Sequence, residues 1–278
     1  MMRKRLNLSK PGAPVPKLSR ISSTNNNNQI DDLVPAHIKV ADILTIFHHL
    51  SGHYELYRKA EKFPKIVMKH QFYSVVENRT NVDQTIHSLQ ATGKLRVFKT
   101  SLGTDQFCTM LTPDYIDYVQ TVSKLTTDDQ QDSKSENPSP MECKRRKVLT
   151  KFLEELVPCH TDVDINIKTL TTTYKFTDSQ ITLLIKDGVL TSKDAGCWWL
   201  AIPNVGKFLK TLRKGRSYML QTIRRAKYKE LSVKNILARK PPNSVRLGWH
   251  FHVHDLVGAD LVTVIKSTTS TLLRVVGD

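Results

Sequence analysis

Residues Gly196–Glu230 read GCWWLAIPNVGKFLKTLRKGRSYMLQTIRRAKYKE. The run CWWLAI has the composition of a strand and breaks at Pro203-Asn204. Beyond the break, Val205, Phe208, Leu209 and Leu212 recur at i, i+3, i+4 and i+7, the spacing of one helix face. Lys207, Lys210 and Lys214 fall on another face. After Gly215, Met219, Ile223 and Ala226 resume the apolar spacing, so the glycine reads as a break between two helices. Arg216, Arg224, Arg225, Lys227 and Lys229 take remaining positions, and Glu230 is the only carboxylate of the segment. One side can enter a core. The other is cationic, and charge of one sign on one face is costly to hold unless an anion meets it.

The whole chain shares that bias. Its 278 residues hold 42 Lys and Arg against 26 Asp and Glu, a formal net charge of +16. An excess of this size implies nucleic acid first and a membrane surface second. No apolar run approaches 18 residues, so no membrane span is expected. The opening MMRKRLNLSKPGAPVPKLSR lacks an apolar h-region and does not read as a secretory signal. Cys108, Cys143, Cys159 and Cys197 form no CxxC pair, which argues against zinc and for a reducing compartment.

Upstream, residues 1–35 read as a disordered tail, with Arg3-Lys4-Arg5 either a nuclear signal or a solvated cluster. Ile43, Ile46, Phe47 and Leu50 make a helical stripe. A second helix is expected after Pro64, carrying Ile66, Val67 and Phe72. A third opens at the capping-box pattern Thr80-Asn81-Val82-Asp83 and stops at Gly93. Two β-rich runs, Leu95–Lys99 and Gln106–Leu111, form a hairpin, and a helix follows Pro113. Residues 126–143 are an acidic flexible linker, and Lys144-Arg145-Arg146-Lys147 beyond it is a second nuclear-signal candidate or a basic helix start.

The next segment repeats the first. A helix carries Leu149, Phe152, Leu153 and Leu156 and is expected to end at Pro158; a short helix covers Ile167–Tyr174. Thr177-Asp178-Ser179-Gln180 caps the next helix. Ile86, Leu89, Gly93 and Leu95 superpose on Ile181, Leu184, Gly188 and Leu190 without a gap, and each hairpin leaves through Pro113-Asp114 or Pro203-Asn204. Helix, helix, capped helix, glycine stop and hairpin is the order of a winged helix, whose third helix is placed to lie in a DNA groove. A third copy is expected after Gly215. Its helices would cover Leu231–Leu237 and Val253–Val264, with a hairpin around Ser267–Ser270. The fold class expected is mostly α with small β-hairpins (α+β). Its three tandem winged-helix domains would span 36–125, 144–214 and 215–278.

From Lys207 to Arg246 thirteen cations accompany one carboxylate. The DNA-binding candidates are Lys210, Lys214, Arg216, Arg224, Arg225, Lys227, Arg239, Lys240 and Arg246, offering phosphate contacts that carry no base preference. Trp198 and Trp199 alternate across a strand, one toward a core and the other either stacking on a base or sugar or capping the core edge, the second reading being preferred. His250, His252 and His254 would share a face only in an extended chain, so with a helix near Val253 they read as packing residues rather than metal ligands. There is no G-x-G-x-x-G, no H-R-D-x-x-x-x-N, no D-F-G and no Walker A loop. No catalytic residues and no cofactor are expected. A protein- or RNA-binding scaffold is the alternative, an atypical kinase a remote one.

DAGCWWLAIP, GKFLKTLRKGR, RRAKYKEL and VRLGWHFHVHDLVGADL closely resemble the serine/threonine-protein kinase 19 family, densely from about Leu149 to Val275 and more loosely from Ile38 to Leu125. The resemblance implies a nuclear, non-kinase protein of tandem winged helices that binds double-stranded DNA. It also implies a role in transcription-coupled nucleotide excision repair, bridging RNA polymerase II, the Cockayne-syndrome ubiquitin-ligase complex and transcription factor IIH. The family's DNA-contact positions fall on Lys210, Arg224 and Arg239, with Lys214, Arg216, Lys227 and Lys240 as neighbours. A homodimer is one assembly compatible with the sequence.

Overall fold

A computed structural model describes residues 34–39, 42–103, 106–128, 140–267 and 270–277. The tail with Arg3-Lys4-Arg5, and residues 129–139 of the expected linker, lie outside the described residues.

The first unit begins with helices α1 (Ala36–Lys39), α2 (Ile43–Gly52) and α3 (Glu55–Glu61). Asp42 starts α2 by accepting the Thr45 N–H at 3.0 Å, satisfying one of the donors a helix start leaves open. The helix expected after Pro64 is instead a short strand, β1 (Val67–Met68), followed by a 3₁₀ turn over Lys69–Ser74. The β-branched Val67 pairs with Thr109 in the sheet, and both it and Ile66 before the strand are buried. Helix α4 (Arg79–Ala91) starts two residues earlier than the capping pattern suggests, because Asn78 accepts the Asn81 N–H at 3.0 Å. Strands β2 (Leu95–Lys99) and β3 (Phe107–Leu111) and helix α5 (Thr112–Asp128) complete the unit.

The second unit comprises α6 (Pro140–Lys151), α7 (Val157–Cys159), β4 (Asp164–Asn166), α8 (Asp178–Lys186), β5 (Leu190–Asp194) and β6 (Cys197–Leu200). The helical run continues from α6 through a π-helical turn over Phe152–Leu156 into α7 and ends at Cys159, one residue past Pro158. Thr177 and Gln180 form the capping box of α8.

Helix α9 (Val205–Arg225) runs through Gly215 without a break, so the expected boundary at 214/215 falls inside one helix. Beyond it, a third unit with its own sheet comprises β7 (Glu230–Ser232), α10 (Val233–Leu237), α11 (Trp249–Gly258), β8 (Val262–Lys266) and β9 (Thr271–Val275). Helix α11 therefore starts before Val253 and ends before Leu261.

The three sheets have one topology. Their strand orders are β1-β3-β2, β4-β6-β5 and β7-β9-β8, all antiparallel, with Leu95 opposite Leu111, Leu190 opposite Leu200 and Val262 opposite Val275. Gly93 (φ 70°) and Gly188 (φ 73°) take the left-handed conformation after α4 and α8, and Asp260 (φ 54°) holds that place after α11.

The cores are shared. One apolar cluster joins Phe98 and Tyr115 to Phe152, Leu184, Phe208 and Phe251; the other joins Phe47 and Ile86 to Met219, Ile223, Leu256 and Leu273. The two halves of α9 thus serve different clusters. The first and second units are tied by the Arg96 guanidinium, which donates to the carbonyls of Val157 and His160, and by Tyr115 Oη–H, which donates to Ala201 (3.0 Å). Trp198 packs on the first cluster, and the Lys193 ammonium lies 4.3 Å from the Trp199 ring centroid.

Candidate nucleic-acid interface

Helix α9 is amphipathic along its full length. Phe208, Leu209, Leu212, Gly215, Met219 and Ile223 are buried. Lys207, Lys210, Lys214, Ser217, Gln221 and Arg224 are all exposed and recur at alternating steps of three and four. That spacing holds them on one stripe, about 25 Å long at 1.5 Å per residue. The helix can lie so close to the third unit because position 215 has no side chain. A Cβ there would overlap the buried His252 ring.

Arg213, Lys214, Ser217, Gln221 and Arg224, with Ser244 from the segment before α11, line a shallow open cleft of about 860 Å³. Arg224 and Arg225 sit in the last turn of α9, where the carbonyl end of the helix favours cations. The chain then turns sharply over Lys227–Lys229, with all three side chains exposed. Arg239 and Lys240 are exposed after α10, and their loop is anchored by the Trp249 Nε1–H donating to the Arg239 carbonyl at 2.7 Å.

Two candidates are placed differently. Arg216 does not belong to the open face. Its guanidinium forks onto Asp255 at 2.8 and 2.7 Å, and its side chain is only 15% exposed. Asp255 is fully buried and also meets His70 Nε2 at 2.7 Å. Burial alone would raise its pKa, but the hydrogen bonds from His70 and Arg216 outweigh that and hold the carboxyl well below its usual range. Arg246 is exposed but donates to Glu61 at 2.8 Å, linking the third unit to α3.

The histidines of α11 are divided by the helix. His250 and His254, four residues apart, stack on His53 with centroids 4.9 and 5.5 Å away, while His252 lies against Gly215. Burial pushes His53 down to about 4, helped by His49 and His250, and burial likewise pushes His252 down to about 4. Among the described residues no group of three His, Cys, Asp or Glu is placed to hold a metal ion, and no helix is long and apolar enough to cross a membrane.

Helix α11 occupies the place of a groove-reading helix in the third copy, yet Trp249 and the run Phe251–Gly258 are buried. Gln71 Nε2–H donates to the Phe251 carbonyl (3.1 Å), Ser74 Oγ meets His254 Nδ1 (2.8 Å), and Arg79 forks onto Asp260 (2.7 and 2.8 Å). The expectation that this helix is free to enter a groove is corrected by the first unit packing over it. Sequence reasoning missed that contact because its partners are some 180 residues apart.

Helices closed by small three-stranded sheets, with a long helix that presents an exposed cationic stripe, define a winged-helix protein. The chain belongs to the family described as Inactive serine-threonine protein kinase 19, whose model matches residues 49–275. It is 38% identical over 217 residues to Winged helix repair factor 1 of Homo sapiens, covering 77% of this chain and 78% of that protein. The Xenopus laevis protein of that name is 34% identical over 215 residues, covering 77% and 76%. A Schizosaccharomyces pombe relative, 27% identical over 106 residues (36% of this chain and 35% of its own), is named Serine/threonine-protein kinase mug51.

Proposed function

We propose that this protein is a nuclear, non-enzymatic factor that binds double-stranded DNA through phosphate contacts. In this reading it has three winged-helix units and acts as an adaptor in transcription-coupled nucleotide excision repair. Its partners there would be RNA polymerase II, the Cockayne-syndrome ubiquitin-ligase complex and transcription factor IIH. The observation that carries the reading is the stripe Lys207, Lys210, Lys214, Ser217, Gln221, Arg224, with Arg225, Lys227, Arg239 and Lys240 exposed as well. It is long, exposed and of one charge sign, and its polar members Ser217 and Gln221 suit phosphate oxygens as well as its cations do. The repair assignment is supported by the names of the human and Xenopus relatives.

The test is a titration of the full chain with duplex DNA at two salt concentrations. If about six phosphates are engaged, affinity falls about a thousandfold from 50 to 200 mM salt. Reversing Lys210, Arg224 and Arg239 to Glu should weaken binding to every duplex alike and flatten that dependence, with the circular dichroism unchanged. A folded triple variant with the wild-type salt slope would place the DNA elsewhere. Tight RNA binding with none to duplex DNA would refute the choice of polyanion.

A further inference from the structure

The turn that follows α9 presents an aromatic ring where no core needs one. Tyr228 is 77% exposed, the one aromatic among the large exposed apolar side chains of the described residues. Its backbone is left-handed (φ 62°, ψ 14°), and so is that of Lys229 (φ 54°). Two successive left-handed residues with long side chains are unfavourable, and glycine or asparagine would suit such positions better. The turn is nonetheless well formed, since the Lys229 N–H donates to the Ala226 carbonyl at 2.9 Å. Among the described residues the Tyr228 hydroxyl makes no hydrogen bond, so neither burial nor a polar contact explains the ring. Its surroundings are cationic: Arg224, Arg225, Lys227 and Lys229 are all exposed, and the Lys227 ammonium lies 5.1 Å from the ring centroid.

Resting on the reading of α9 as a phosphate-binding stripe, we propose that Tyr228 is a stacking residue for an unpaired base. The preferred ligand would be duplex DNA adjoining a single-stranded segment rather than continuous duplex. In a paired helix both faces of a base are covered by its neighbours, so an exposed ring gains a partner only where a base is unstacked. The stripe leads directly to the turn, so a backbone held by Lys214 and Arg224 delivers its next nucleotides to the ring. Stacking is indifferent to base identity, as are the phosphate contacts proposed for the stripe.

The experiment compares the full chain on two DNAs of equal length. One is a paired duplex; the other is a duplex with splayed single strands carrying 2-aminopurine in the first unpaired positions. The wild type should bind the splayed DNA about five- to a hundredfold more tightly and quench the 2-aminopurine. Tyr228→Asn, which tolerates the left-handed backbone, should lose both the preference and the quenching while keeping the affinity and salt slope for paired duplex. Tyr228→Phe should keep both. No preference in the wild type, or a preference that survives Tyr228→Asn, would overturn the proposal. Failure of the wild type to bind even the paired duplex would instead remove the phosphate stripe, and this inference with it.

Discussion

Lys214 and Arg216 are two residues apart in a run of cations, yet the structure leaves one exposed and turns the other inward, and their glutamine variants should behave differently. Lys214 is exposed on the stripe. Losing one phosphate contact should lower the slope of log affinity against log salt by about 0.9, which shrinks the change between 50 and 200 mM salt by about threefold. Its melting temperature should stay at the wild-type value. Arg216 faces inward on Asp255, which is 0% exposed. Removing one partner of a buried pair costs about 3–5 kcal/mol because the other charge is left uncompensated. His70 remains on Asp255, so the lower end, about 3 kcal/mol, is expected. For a chain of this size that is a fall in melting temperature of about 6–12 °C. The salt slope should not move, and adding Asp255→Asn to Arg216→Gln should restore part of the loss by removing the stranded charge. The assays are thermal unfolding by circular dichroism and duplex titration at four salt concentrations. An Arg216→Gln protein that melts with the wild type and shows a flattened slope would refute the assignment of this arginine to the interior.

Gly258→Ala should destabilise more than Gly215→Ala in urea unfolding, by about 1–3 kcal/mol or more. Its Cβ would strike the backbone carbonyl of His70, whereas at 215 it strikes a side-chain ring; equal midpoints for the two variants would contradict this packing. Arg79→Ala should cost only about 0–1 kcal/mol in the same assay, since both Arg79 and Asp260 are about half exposed; a larger loss would mean that this pair clamps the first unit to the third. Stability should also depend on pH. His53 and His252 stay neutral in the folded chain down to about 4, while in the unfolded chain they titrate near 6.5. The unfolded state therefore binds more protons between those values, and stability falls as the pH drops from 6.5 toward 4, by about 2 kcal/mol per histidine at pH 5. Urea midpoints at pH 7.5 and 5 measure it, and identical midpoints would show that the histidines are not held neutral.

What the sequence discloses is what is written locally. The superposition of Ile86, Leu89 and Gly93 on Ile181, Leu184 and Gly188 depends on a 3.6-residue period and a left-handed stop, both decided within one or two turns. The third copy was fainter because Asp260 replaces the glycine and Gly248, which precedes α11, makes no side-chain cap. The strands β1, β4 and β7 were not legible. They are two or three residues long, and their partners lie tens of residues downstream, so no alternation can build up. Gly215 was misread for the same reason. Its local meaning is a helix breaker, but its role here is to admit His252, a neighbour 37 positions away in the chain. Arg216 is chemically like Arg224 in sequence, and only the fold supplies the buried carboxylate that tells them apart.

These placements bear on how a winged-helix chain could hold DNA without reading it. The helix that would read a groove in the third copy, α11, is sealed under the first unit. Helix α8 exposes Asp178 and, of the cations, only Lys186; on α4 the exposed Arg79 already forks onto Asp260. Of cations, therefore, these three helices offer few, although α4 also exposes the polar side chains Asn81, Gln84, His87 and Ser88. Positive charge is concentrated instead on α9, the helix that joins the second sheet to the third. It is also the helix whose two buried halves knit the two cores together. A stripe fixed to both cores keeps its spacing when it meets a polyanion and loses little side-chain or backbone freedom beyond that of the cations themselves. In the proposed reading, affinity would come from a rigid row of charges. Phosphate contacts along that row carry no base preference, so on this surface a preference would come from the shape or the pairing state of the nucleic acid, and the exposed ring at the end of the row is the place to look for it.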